Sequence, residues 1–118
     1  MLQVKTLALA SLIAFSATQG YAQSQPEPSK QMAEFLSWDA SAQNAYIGNG
    51  IVMIGVIAAQ TQPEIARCID TWYLGREENR RLRHNEALET MRKFPNYLPE
   101  AIILAVVEKA CGKFSRAE

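Results

Sequence analysis

The stretch Ile51 to Ala59, IVMIGVIAA, contains no polar side chain and lies in a segment without charge between Asp39 and Glu64. Ile and Val favour strands. The length of the segment, its flanking Ala residues and the lack of a second strand-like segment favour a helix over residues 42–60. A helix that is apolar on every side is buried on every side, so this segment predicts the central helix of an all-α domain.

Three small residues share one face of this central helix. Gly48, Gly55 and Ala59 fall at i, i+7 and i+11. A face without bulk lets a neighbouring helix approach closely, which is the first interpretation. The alternative is a groove left for a ligand or a partner.

Helix caps on both sides of this segment predict the remaining helices. Ser29 can cap a first helix, and Trp38-Asp39 marks a turn or a second cap. Pro followed by Glu, at Pro63 and Pro99, begins a third and a last helix. A fourth helix is expected to begin at Asn85, after a charged connector over residues 76–84. Together they predict a compact all-α bundle of about four to five helices, one domain over residues 29–118.

The N-terminus is typical of an export signal. Lys5 precedes an uncharged apolar run over residues 6–17, and Gly20-Tyr21-Ala22 provides small residues for a signal peptidase. The run is too short to span a bilayer, which needs about 20 residues. We therefore predict that residues 1–22 are a cleaved signal peptide and that 23–28 form a flexible mature N-terminus. The expected location is the periplasm of a Gram-negative bacterium, or outside the cell, with no stable membrane insertion after cleavage.

Both cysteines lie in the predicted mature chain. Cys68 falls on the apolar face of the third helix and Cys111 ends that of the last. Two cysteines in an oxidising compartment allow one intramolecular pairing, so we predict the disulfide Cys68–Cys111. Redox chemistry usually uses Cys-x-x-Cys, which is absent, and a zinc site needs about four ligands. Two Cys and His84 do not provide them, so no metal is expected.

The chain offers no recognisable catalytic set. His84 is the only histidine, and its arginine neighbours suggest that it is exposed to solvent. The adjacent carboxylates Glu77 and Glu78 do not face a common point. We expect no enzyme and no cofactor. With 12 basic and 12 acidic residues the chain lacks the basic surface on which nucleic-acid binding depends.

Four arginines in the predicted connector form a candidate partner-binding surface: Arg76, Arg80, Arg81 and Arg83. Guanidinium groups donate paired hydrogen bonds to carboxylates and phosphates. The alternative is a solvated surface in which neighbouring Glu side chains neutralise them. The aromatic residues Trp38 and Tyr97 add contact area or belong to the core.

Two groups of small exported helical proteins share motifs with the chain. It resembles periplasmic acid-stress chaperones in the Phe35-Leu36-x-x-Asp39 segment and in Cys68 and Cys111. It resembles immunity proteins that neutralise the peptidoglycan amidases of type VI secretion in three other features. These are Ala45-Tyr46-Ile47-Gly48 with Gly50, the helix around Cys68, and the closing Pro99…Ala110-Cys111 helix.

These observations favour a non-enzymatic periplasmic interaction protein that acts through a disulfide-fixed helical surface. The resemblance to immunity proteins implies an inhibitor of a cell-wall enzyme, with another protein as the partner. An acid-stress chaperone, which loosens when its carboxylates protonate, is an alternative. A carrier of a small apolar ligand is another, and a homodimer is an open possibility.

Overall fold

A computed structural model of the protein describes residues 27–115. The predicted signal peptide and residues 23–26 lie outside the described residues. Within residues 27–115 there are helices and loops and no strand. The helices are α1 (Lys30–Ser37), α2 (Ala40–Thr61), α3 (Pro63–Ile69), α4 (Glu77–Lys93) and α5 (Pro99–Cys111). The predicted all-α bundle of about four to five helices, closed by one disulfide, is confirmed.

A sharp corner joins α1 to α2. Asp39 caps α2, its Oδ1 accepting a hydrogen bond from the backbone N–H of Ala42 at 2.8 Å. The buried side chain of Gln43 donates from Nε2 to the carbonyls of Phe35 and Leu36, at 3.2 and 3.3 Å. The last carbonyls of a helix have no partner within it, so Gln43 stabilises the end of α1 while it fixes the corner.

The core draws side chains from every helix. Its largest fully buried members are Met32, Phe35, Ile47, Ile51, Ile69, Met91 and Val107. Burying a side chain of this size contributes about 1.5–3 kcal/mol. This core fixes the relative positions of α2 and α5, which frame the candidate site.

The helix α2 is central, but it is not buried on every side as its sequence predicts. It packs against α3, α4 and α5, yet four of its large apolar side chains remain exposed. Val52, Met53, Val56 and Ile57 are 43%, 59%, 50% and 48% exposed. At about 100° per residue, its buried positions, Gln43, Ile47, Ile51 and Ala58, span less than half of the helix circumference. A bundle of five short helices has too few neighbours to enclose it.

By length and composition, α2 is also the one helix within residues 27–115 that could cross a membrane. The core helix of a soluble protein satisfies the same criterion. In α2, 22% of the most apolar window is buried in the domain.

The small face of α2 is a packing face at two of its three predicted positions. A Cβ atom on Gly48 would lie 2.9 Å from the Tyr73 hydroxyl, and one on Gly55 would lie 3.5 Å from Cγ2 of Ile69. Ala59 is exposed. Gly48 and Gly55 therefore allow close helix approach, and neither opens a groove.

The predicted connector over residues 76–84 is wrong from Glu77 onward, because α4 begins there and not at Asn85. Before it, α3 continues as a π-helical turn, Asp70–Leu74, which ends at Gly75. Glu and Arg are good helix formers, and acidic residues in a first turn interact favourably with the helix dipole. The high charge of this segment therefore favours an exposed helix.

The predicted disulfide is present. Cys68 and Cys111 are bonded, with their Cα atoms 5.6 Å apart. The bond links the last turns of α3 and α5. Gly112 follows with φ 103°, a backbone conformation that favours glycine, and ends α5.

Candidate functional site

The four arginines of the predicted partner surface divide into two kinds. Arg80 Nη1 donates to the carbonyl of Leu74 at 3.1 Å, and Arg83 Nε donates to that of Trp72 at 3.2 Å. Arg83 also lies 5.0 Å from the Trp72 ring centroid. These two side chains stabilise the π-helical turn. Arg76 and Arg81 are exposed.

A polar hollow of about 310 Å³ places Arg81 beside Arg80. Its lining residues are Asn44, Glu77, Arg80, Arg81, His84 and Asn85. Glu77 lines the same hollow, but the one ion pair closer than 4.0 Å within residues 27–115 joins Arg83 and Glu86, at 3.6 Å. The alternative interpretation, in which neighbouring Glu side chains neutralise the arginines, therefore holds for Arg83.

His84 is not exposed to solvent as predicted. Its Nε2 shares a 2.7 Å hydrogen bond with the Tyr73 hydroxyl, and the ring packs under Gly48. Burial lowers the pKa of His84, and the positive charge of Arg80 lowers it further. Burial raises the pKa of Tyr73. Both side chains therefore stay neutral, and the hydrogen bond between Tyr73 and His84 links the π-helical turn to α4.

An apolar groove of about 370 Å³ runs between α2 and α5. Its lining residues are Tyr46, Asn49, Gly50, Met53, Ile54, Glu100 and Ile103. Gly50 allows this geometry, because a Cβ atom there would lie 3.2 Å from Cδ1 of Ile103. The groove opens beside Met53, which belongs to the four exposed side chains Val52, Met53, Val56 and Ile57. We call those four residues the apolar face.

Three aromatic rings form a cluster at the other end of the groove. Phe35 lies 5.3 Å from both Trp38 and Tyr46, and Trp38 and Tyr46 are 5.8 Å apart, between ring centroids. Phe35 is 2% exposed and Trp38 is 39% exposed. Trp38 is therefore partly core and partly surface. The cluster borders a further hollow of about 200 Å³, which also reaches Glu34 and Glu100; we call it the hollow beside the aromatic cluster.

Tyr46 and Glu100 line both the apolar groove and the hollow beside the aromatic cluster. The Tyr46 hydroxyl donates a hydrogen bond to Oε1 of Glu100. Burial, this hydrogen bond and the charge of Glu100 together raise the pKa of Tyr46 to about 12. The phenol therefore keeps its proton, and the bond ties α2 to α5.

Tyr97, the other aromatic residue singled out in the sequence, packs edge-on against Phe94 at 6.1 Å. Both rings are about half exposed. They lie in the loop between α4 and α5 and line none of the hollows described above.

Sequence reasoning missed the groove, although part of the signal was present. Tyr46, Asn49, Gly50 and Met53 follow an i, i+3, i+4, i+7 pattern, which places them on one helix face. Nothing local indicates that Glu100 lies against that face, because the two elements are far apart in the chain.

Comparisons with models of protein families, with curated proteins and with solved structures find no match to this chain. The resemblances to acid-stress chaperones and to amidase-immunity proteins therefore stay predictions.

Proposed function

We propose that the protein is a non-enzymatic periplasmic binding protein that docks a partner protein on its apolar face and groove. The observation that carries the proposal is the exposure of Val52, Met53, Val56 and Ile57 on one helix. Contiguous exposed apolar surface on a soluble domain marks interaction sites.

The partner is expected to cover the apolar face with uncharged, apolar surface. No charged residue occurs within α2, so an apolar partner covers the apolar face without desolvating an ion. Removing charges from water costs several kcal/mol per ion. The groove beside Met53 is large enough for a bulky apolar side chain, the kind of buried anchor that dominates protein interfaces.

The disulfide and the resemblance to immunity proteins support the periplasm and a cell-wall enzyme as partner. A disulfide persists in an oxidising compartment, and this one holds α5, one wall of the groove, to α3. A peptidoglycan amidase is therefore the first partner to test. The exposed Arg76 and Arg81 would add polar contacts.

The test compares charge insertions on α2. Met53→Glu and Val56→Glu place a carboxylate on the apolar face, and Ser41→Glu adds the same charge at an exposed polar position in the first turn of the same helix, about three turns before that face. Partners are captured from a periplasmic extract, identified, purified and titrated against each variant. We expect Kd to rise at least tenfold for the first two variants, about 1.4 kcal/mol, and to stay unchanged for Ser41→Glu. Equal affinities for all variants would refute the proposed surface.

A second candidate is a carrier of a small apolar ligand, which the size of the groove favours. Ligand sites usually occupy about 300–1,000 Å³, and the groove measures about 370 Å³. Native mass spectrometry of the purified protein tests it. A bound apolar molecule that Gly50→Leu displaces would favour the carrier over the docking protein.

A further inference from the structure

The hollow beside the aromatic cluster has a consistent chemistry. Its lining residues are Gln31, Glu34, Phe35, Trp38, Tyr46, Pro99 and Glu100. They provide three aromatic rings and two carboxylates, and none of them carries a positive charge. The polar hollow around Arg80 and Arg81 is different, because Glu77 lies there among the cations.

We propose that this hollow is a cation site that takes an alkylammonium group, as on a Lys side chain. The face of an aromatic ring is negative, and Trp attracts cations most strongly. Of the three rings that line the hollow, Phe35 is buried, Tyr46 is partly buried and Trp38 is exposed. Glu34 on α1 and Glu100 on α5 also line it and are exposed, and we call them the rim carboxylates.

Both rim carboxylates are available to a ligand. Within residues 27–115 the one ion pair closer than 4.0 Å joins Arg83 and Glu86, at 3.6 Å, so neither Glu34 nor Glu100 forms an ion pair with a cation of these residues. Tyr46 donates to one oxygen of Glu100. A carboxylate has further acceptor positions, and an ammonium group donates in three directions.

The position of the hollow deepens the proposed function. It shares Tyr46 and Glu100 with the apolar groove, so a partner segment lying along α2 would cover both. The inferred partner therefore carries a Lys residue next to its apolar anchor. This statement about the partner rests on the proposed function, whereas the cation site itself does not.

The direct test titrates the protein, residues 23–118 with the disulfide formed, with tert-butylammonium chloride and follows the two Trp indole signals by NMR. We expect a saturable shift of the Trp38 indole, while Trp72, which does not line the hollow and lies 5.0 Å from Arg83, serves as the internal control. Sodium chloride controls for ionic strength, and tert-butanol is a neutral probe of similar bulk. A Trp38 shift with tert-butanol equal to that with the cation would overturn the proposal, as would no shift at all.

Charge variants provide the second test. Glu34→Gln and Glu100→Gln keep the size of the side chain and remove a rim charge. Glu64→Gln removes the same charge at an exposed site on α3. We expect each of the first two variants to weaken binding by about 1.5-fold to fivefold, the range that an exposed ion pair gives. Glu64→Gln should leave binding unchanged, and equal weakening by all three would show non-specific attraction and overturn the site.

The source of the cation is distinguished by comparing choline with a blocked Leu-Lys dipeptide. Tighter binding of the dipeptide, lost in Met53→Glu, supports a protein partner that spans the hollow and the groove. Equal binding of both, unaffected by Met53→Glu, supports the cation site and contradicts its link to the groove.

Discussion

Two glycines of α2 are expected to respond in opposite ways to the same substitution. Ala is about 1 kcal/mol more favourable than Gly inside a helix. At Gly55 the new methyl group would make an ordinary contact, 3.5 Å from Ile69. We therefore expect Gly55→Ala to raise the free energy of unfolding by about 1 kcal/mol, and to raise Tm by about 4–8 °C in a domain of this size.

At Gly48 the methyl group meets a hydrogen-bonded pair. It would lie 2.9 Å from the Tyr73 hydroxyl and 3.4 Å from Nε2 of His84, which are themselves 2.7 Å apart. Overpacking costs about 1–3 kcal/mol, and a lost hydrogen bond costs about 1 kcal/mol more. These costs exceed the helix gain, so Gly48→Ala should lower the free energy of unfolding by about 1–3 kcal/mol.

Urea unfolding of the two variants and the wild type, followed by circular dichroism, measures both effects. Because the substitution is identical, helix propensity cancels in the comparison and the difference reports packing alone. Changes of the same sign, or a difference smaller than about 1 kcal/mol, would refute the assignment of Gly48 as the tight contact.

Three further predictions concern the disulfide, His84 and Gln43. Replacing Cys68 and Cys111 together by Ala should lower the free energy of unfolding, measured in urea, by about 4 kcal/mol. The disulfide joins residues 43 positions apart, and without it the unfolded chain gains conformational entropy. A loss below about 1 kcal/mol would contradict this. Burial lowers the pKa of His84 in the folded domain. As the pH falls below about 6.5, the unfolded chain therefore takes up the proton before the folded domain does, and the free energy of unfolding decreases. Above that pH the domain keeps this contribution in full. When the pH is lowered from about 7.5 to about 5.5, the urea concentration at the unfolding midpoint should decrease less in His84→Asn than in the wild type. An equal decrease in both proteins would argue against this role of His84. Gln43→Leu removes the side-chain donor of the Phe35 and Leu36 carbonyls, of which that of Phe35 still accepts from the backbone N–H of Trp38. It should cost about 1–3 kcal/mol by urea unfolding, and a neutral result would contradict this.

Local chemistry explains which helices could be predicted from the sequence. Ser29 accepts from the N–H of Met32, Asp39 caps α2, and Pro63 and Pro99 begin α3 and α5. Each of these signals acts within one helical turn, so the sequence alone reveals it. The disulfide was also predictable, because two cysteines allow only one pairing.

The start of α4 and the environment of His84 depend on tertiary contacts. No side chain caps α4 at Arg76, so the usual start signal is missing. His84 is hydrogen-bonded to Tyr73, and its ring packs close to the backbone of α2 at Gly48, where there is no side chain. Neither contact can be inferred from the charged neighbours of His84 in the chain.

The candidate site was predictable only in part, for a geometric reason. The uncharged, apolar sequence of α2 indicates that other helices pack against it, but the number of neighbouring helices decides how much of its surface is buried. Trp38 was singled out in the sequence with two interpretations, and both hold for different parts of its surface. The pairing of Tyr46 with Glu100 required the three-dimensional arrangement.

The covalent loop closed by the disulfide has a consequence for how the domain opens. The loop runs from Cys68 to Cys111 and excludes α1. That helix is held by the core side chains Met32 and Phe35, by Gln43 and by a 2.9 Å backbone bond from Ser29 to Pro95. Local opening proceeds in cooperative units of differing stability, and α1 can detach without stretching any cross-link. Its amides should therefore exchange with solvent deuterium sooner than those of α5. Since Trp38 follows α1 directly, a cation bound beside that ring would slow this exchange, and the affinity of the site would depend on how often α1 is docked.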